Sequence, residues 1–99
     1  MEIQHQHYLT NGEFFVKNEQ QQKLAVMTYI MTDDNTMLIE HTIVDDELSG
    51  QGIGRKLVDA GVQFARAKGF KIIPQCPYAN SVFSKTPEYA DVWQKQIGQ

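Results

Sequence analysis

Apolar residues change their period near the middle of this chain, from strand-like alternation before residue 45 to helical spacing after residue 52. Gly12 is followed by Glu13-Phe14-Phe15-Val16-Lys17, a short strand, and the polar run from Asn18 to Gln22 reads as a turn. Leu24 to Met31 is apolar on both alternating faces except at Thr28, the pattern of a central strand covered on both sides. Asp33-Asp34-Asn35 offers side chains that hydrogen-bond a local turn, and Met37 to Val44 is the next strand. Residues 13 to 44 are therefore expected as an antiparallel meander of three strands. Further on, Ile53, Leu57, Gly61, Phe64 and Ala65 recur at helical spacing opposite a polar stripe of Arg55, Asp59, Gln63 and Arg66. That helix runs to about Lys68, where Gly69 is a natural C-cap. Phe70-Lys71-Ile72-Ile73 restarts as a strand ended by Pro74, and strand, helix and strand make a right-handed crossover with parallel strands. A short helix around Asn80 to Lys85 and another after Pro87 complete an α+β fold, while the polar start with His5 and His7 is expected to fray.

Between the two periods lies Ser49-Gly50-Gln51-Gly52-Ile53-Gly54-Arg55-Lys56, three alternating glycines at the entrance of the helix. Glycine lets the backbone adopt positive φ and approach a ligand closely, and the unpaired amides of a helix start favour an anion. The spacing excludes a dinucleotide fingerprint, because Gly50 and Gly52 are followed by Arg55, and Gly52 and Gly54 by Leu57. A Walker loop is excluded as well, for want of the Gly-Lys-Ser/Thr end. A phosphorylated ligand on this loop and a glycine turn that merely allows close packing are the two readings left open.

Composition narrows the setting. A length of 99 residues with 41% hydrophobic content suits one domain over residues 1 to 99. Neither a long apolar run nor a basic-then-apolar start is present, so no membrane association and a cytoplasmic location are expected. Cys76 is the single cysteine, which excludes an internal disulfide framework. The net charge of −3 argues against general nucleic-acid binding. Its distribution is uneven: residues 48 to 87 hold six basic side chains against the one acid Asp59, so positive charge lies in the segment of the glycine loop.

His41-Thr42-Ile43-Val44, five residues, then Gly50-Gln51-Gly52-Ile53-Gly54 resembles the acetyl-CoA motif of the GNAT superfamily of N-acetyltransferases. Phe70 to Pro74, Cys76-Pro77-Tyr78 and Pro87-Glu88-Tyr89-Ala90-Asp91 look like the small, compact GNAT-like proteins of the YjdJ type, which include N-acetyltransferase domain-containing proteins of animals. The resemblance implies acetyl-CoA as the small-molecule partner, CoA as product, no metal, and an amine acceptor that the sequence leaves unidentified, as it does the oligomeric state. It places the CoA pyrophosphate on the amides of Gln51, Gly52, Ile53, Gly54, Arg55 and Lys56 behind Gly50, and the pantetheine beside Ile43 and Val44. It also implies that the strands ending at Val44 and Pro74 splay apart, with the acetyl group near Glu40, His41 and Cys76. Ser49 stands where members usually carry Arg or Gln, and Pro87 where many carry a tyrosine acid.

Acetylating an amine requires a neutral amine, a polarised carbonyl and a fate for the leaving thiolate. Cys76 is a candidate nucleophile or proton donor, set against the ordinary reading of a lone cysteine as a small buried hydrophobe. His41 has a pKa suited to a base and is read as sharing its strand face with Ile39 and Ile43; Glu40 points the other way as an alternative base. The ordinary readings beside these are a hydrogen-bonded histidine on a packed face and a solvated strand carboxylate. Tyr78 and Tyr89 are candidate replacements for the missing acid, against packing anchors, and Asn80 and Lys85 are candidate CoA contacts. Met27, Met31 and Met37 read as core, and His5 with His7 as an incomplete metal set. The rival function from another class is a non-catalytic acyl-CoA-binding or sensor module, which the short acceptor side and missing tyrosine would not impair.

Overall fold

The computed structural model describes residues 2–95, so both ends of the expected 1 to 99 domain lie outside the described residues. Strands β1 (Gln4–His7), β2 (Asn11–Lys17), β3 (Lys23–Asp33) and β4 (Thr36–Val44) follow one another and pair antiparallel. Helix α1 (Ile53–Lys68) then crosses back to β5 (Lys71–Pro74), which pairs parallel with β4 from Thr36↔Lys71 to Ile39↔Pro74. The five strands stand in sequence order in one sheet. Helix α2 (Pro77–Lys85) and a 3-10 turn (Pro87–Tyr89) lead to a bridge of Trp93 onto Ile72, in which Ile72 N–H donates to Val92 O and Gln94 N–H to Ile72 O.

Local chemistry places the breaks. Asn18 Oδ1 accepts the amides of Gln20 and Gln22 in the turn from β2 to β3, and Asp33 Oδ1 accepts that of Asn35 in the turn from β3 to β4. Gly69 closes α1 in the left-handed region at φ 75°, its amide returned to Ala65 and Arg66. The buried side of α1, Ile53, Leu57, Val58, Val62 and Ala65, packs on Phe14, Met27, Met37, Ile39 and Ile72 of the sheet.

Three expectations are corrected here. The start does not fray: Gln4–His7 forms a fourth antiparallel strand, because Tyr29 Oη lies 2.7 Å from both His5 Nε2 and His7 Nδ1 and holds an otherwise polar segment to the sheet edge. Strand β3 is covered on one face only. Ala25, Met27 and Tyr29 are buried with α1, whereas Val26, Thr28 and Ile30 are half-exposed on the other side. His41 does not share a face with Ile39. Tyr29 pairs with Ile39 while Thr28 pairs with His41, so Glu40 is an extra residue, a β-bulge that reverses the alternation of β4. His41 and Ile43 follow Thr28 and Val26 onto the uncovered face, and Thr42 and Val44 follow Met27 and Ala25 toward the helices.

Candidate functional site

Strands β4 and β5 part after their rung at Ile39 and Pro74. The amide of Cys76 donates to Ile39 O at 3.1 Å, and from there β4 continues to Val44 while the chain turns into α2. Past the parting, the end of β4 borders the glycine loop. A cleft of about 360 Å³ is lined by Thr42 and Val44 of β4, by Asp46, Leu48, Ser49, Gly50 and Gly52, by the first residues of α1, and by Tyr78. That volume falls within the roughly 300–1,000 Å³ of small-molecule sites.

The loop is built to expose amides. Asp45 Oδ1 caps the 3-10 turn Asp46–Leu48 through the Glu47 amide, which fixes the descent from β4. Gly50 and Gly52 have φ of 82° and 71°, and a Cβ at either would meet nothing within 4 Å, so these glycines serve conformation rather than packing. The first helical acceptor is Gly52 O, which takes the Lys56 amide at 3.1 Å. The amides of Ile53, Gly54 and Arg55 therefore precede any helical carbonyl and face the loop, at the positive end of the α1 dipole. Two of the six expected donors are engaged within the protein: the Gln51 amide donates to Leu48 O, and that of Lys56 to Gly52 O. An anionic phosphate fits the remaining set. The Arg55 side chain turns aside, its Nη2 donating to buried Thr86 Oγ1 at 3.0 Å, and with exposed Lys56 it lines a second cleft of about 600 Å³ that meets the loop at Gly52.

Cys76 stands at the N-cap of α2, 6% exposed, with Sγ 3.6 Å from Thr42 Oγ1. It lies behind Thr42 rather than on the cleft lining. Burial alone raises its thiol, but the Ala79 amide, the Thr42 hydroxyl and the amides of Tyr78 and Thr42 together outweigh it and leave the pKa below the ordinary cysteine value. The sulfur forms no capping hydrogen bond, so the helix amides act on it as oriented dipoles. Tyr78, on the first turn of α2, leans over α1 so closely that a Cβ on Gly54 would lie 2.9 Å from its Oη.

The structure thus gathers Gly50, Gly52, Ile53, Gly54, Val44 and Tyr78 around one cleft, with Cys76 one side chain deeper. His41 and Ile43, the latter 63% exposed, lie on the uncovered face and do not line it. Glu40 occupies the bulge and is also outside the lining. Asn80 donates to Pro74 O and lines a different cleft with Gln75, Ser84 and Trp93, and Lys85 is exposed at the far end of α2. Tyr89 donates to Asp59 Oδ1 at 2.8 Å and is pushed up to about 12 by burial and by that carboxylate, an anchor of the C-terminal segment on α1. Thr42 was missed by pattern reading, since its inward position depends on the bulge.

The model of the GCN5-related N-acetyl-transferase family matches residues 13–92. The chain belongs to that family. Its fold is shared with a GCN5-like protein of Staphylococcus aureus, a candidate N-acetyltransferase solved by NMR, at 37% identity and a TM-score of 0.76 over 99% of this chain and 92% of that one. A ribosomal-protein-alanine N-acetyltransferase of Brucella melitensis biovar Abortus shows the same fold at 13% identity and a TM-score of 0.64, covering 93% and 71% of the two chains. An IAA acetyltransferase of Bacillus cereus matches at 22% identity and 0.57, and there the GNAT chain described here covers 77% of itself but only 53% of the other. No curated protein matches at the level taken as significant. As a GNAT member the protein falls in the class of acyl-CoA-dependent transferases. No helix among the described residues is long and apolar enough to cross a membrane.

Proposed function

We propose that this protein binds acetyl-CoA and transfers the acetyl group to a primary amine, as a single cytoplasmic GNAT-like domain of the small YjdJ type. The observation that carries the proposal is one cleft that joins the free amides at the α1 start to Thr42 of β4, whose hydroxyl oxygen stands 3.6 Å from Cys76 Sγ. Ile53, Gly54 and Arg55 hold the pyrophosphate through their N–H groups, and Thr42 and Val44 flank the pantetheine. In this role Val44 keeps its expected place and Thr42 takes that of Ile43. Acetyl-CoA supplies an activated thioester, and the chain supplies its orientation and a group to deal with the thiolate.

Tyr78 is the proton donor for that thiolate, because its hydroxyl stands at the cleft wall over Gly54. A second route is favoured by the depressed pKa of Cys76. Its thiolate attacks the acetyl carbonyl, the new S–C bond forms as the C–S bond to CoA breaks, and CoA leaves as a thiolate that takes a proton from Tyr78 or water. The amine then displaces the acetyl group from Cys76 and loses its own proton to solvent. The cleft lining contains no histidine or lysine, an arrangement that would equally serve an acyl-CoA sensor without turnover.

Calorimetric titration of acetyl-CoA and CoA, followed by mass spectrometry after incubation with acetyl-CoA alone, tests these readings together. Binding with an acetyl mass gain that Cys76→Ala removes supports the covalent route; binding without gain, and product in an amine screen, supports direct transfer. Binding with no product from any amine leaves the sensor. Absence of binding would reduce the glycine loop to a turn that leads β4 into α1.

A further inference from the structure

His5 and His7, too few for a metal site in the sequence, acquire a third donor in the fold. They are two residues apart on β1 and so project to the same side of the strand. Their Nε2 and Nδ1 atoms each lie 2.7 Å from Tyr29 Oη, which reaches them from the middle of β3. We propose that His5, His7 and Tyr29 form a binding site for a divalent transition-metal ion of the zinc and copper(II) class. Two neutral imidazoles and one phenolic oxygen match the nitrogen-and-oxygen preference of those ions, which magnesium and calcium do not share.

The three atoms are held, not merely near. The His5 ring stacks on Phe14 at 4.0 Å between centroids with 7° between planes, and meets the edge of Phe64 at 4.5 Å. The His7 ring stacks on Tyr29. Tyr29 is fully buried, its hydroxyl included, and Gly12 packs so closely on it that a Cβ there would collide with Oη. That glycine leaves the oxygen room between the two imidazoles. Tetrahedral ligands at about 2.0–2.1 Å from a zinc ion stand about 3.3 Å apart. The donors must therefore separate by roughly half an ångström, a shift open to β1, an edge strand paired on one side only. The side chains of β1 are exposed, which leaves the remaining coordination positions to water. Asp33 and Asp34 share a cleft of about 340 Å³ with His7 and add negative potential beside the site. The ion displaces the hydrogen bonds of the Tyr29 hydroxyl, and if phenolate is the ligand, one proton passes to water. The site is at the opposite sheet edge from β5 and does not depend on the acetyl-transfer reading.

The test is calorimetric titration of the untagged full chain with ZnCl2 and with CuCl2. One equivalent of ion is expected to bind, with affinity unchanged in Cys76→Ala and weakened about tenfold or more in His5→Ala and in His7→Ala. Tyr29→Phe is expected to weaken binding severalfold, and an NMR titration with ZnCl2 to shift the rings of His5, His7 and Tyr29 together. His5→Gln serves if loss of the stack on Phe14 unfolds His5→Ala, with amide spectra checking each variant. No saturable binding by either ion, binding that survives both histidine substitutions, or affinity untouched in folded Tyr29→Phe would each overturn the three-donor site.

Discussion

At the scale of single residues, Cys76 shows how position lowers the pKa of a buried thiol. Its depressed thiol depends on Thr42 and on the first turn of α2, so the pH midpoint of its alkylation by iodoacetamide should lie below that of an ordinary cysteine. Thr42→Val should move that midpoint up, toward the value set by burial; an unchanged midpoint would mean that Thr42 does not tune the sulfur. Gly54 offers a second measurement. A Cβ there is opposed by Oη and ring carbons of Tyr78 at 2.9 to 3.0 Å, and Tyr78 is exposed enough to move away. Gly54→Ala should therefore fold normally yet bind CoA about tenfold more weakly, a loss of about 1.4 kcal/mol, because the cleft wall is displaced. Calorimetry on the folded variant decides it. Gly54 was legible in the sequence as part of a glycine loop. Its partner Tyr78 was legible only as a candidate acid, because the contact joins two helix starts that nothing in the linear spacing connects.

Whole elements separate into those announced by side chains and those that are not. Helix α1 and β5 follow from amphipathic spacing, Gly69 and Pro74, all of which act locally. Strand β1 carries no apolar residue, and its Gln-His-Gln-His run satisfies no hydrophobic pattern; it belongs to the sheet because a buried tyrosine needs polar partners. The bulge at Glu40 has no sequence signature either, since it is a backbone accommodation to the register of β3. Its consequence for the site was large: His41 and Ile43 leave the cleft for the open face, Thr42 enters it, and Val44 keeps its expected place. The β1–β2 pairing can be probed at Gly12, where a Cβ would lie 2.4 Å from Tyr29 Oη and 2.6 Å from the backbone oxygen of Gln6. Because backbone cannot yield as a side chain tip does, Gly12→Ala should destabilise the protein by about 1–3 kcal/mol. A urea midpoint equal to that of the parent would show that β1 is dispensable.

For the molecule as a whole, one covered sheet face must support the fold, with the C-terminal segment strapped to α1 through Tyr89–Asp59 and Arg66–Asp91. Both buried tyrosines bear on its response to alkali. Burial pushes Tyr29 up to about 12, and burial together with the Asp59 carboxylate pushes Tyr89 up to about 12. The folded chain thus keeps protons that the unfolded chain loses near pH 10. Their stabilisation is fully present below about pH 10 and is lost as pH rises toward 12. Urea midpoints between about pH 9 and pH 12 should fall steadily, and Tyr89→Phe should flatten part of that fall; equal slopes in both proteins would exclude Tyr89 as a source.

The extra residue in β4 finally bears on how this strand tolerates insertion and deletion. Parity is conserved along a pleated strand, and Glu40 resets it once, between the half that packs under α1 and the half that borders the cleft. Excising residue 40 would leave the loop, the helices and every glycine chemically intact. It would nonetheless turn the second half of the strand inside out, bringing an imidazole and an isoleucine to the cleft and sending a hydroxyl and a valine to the open face.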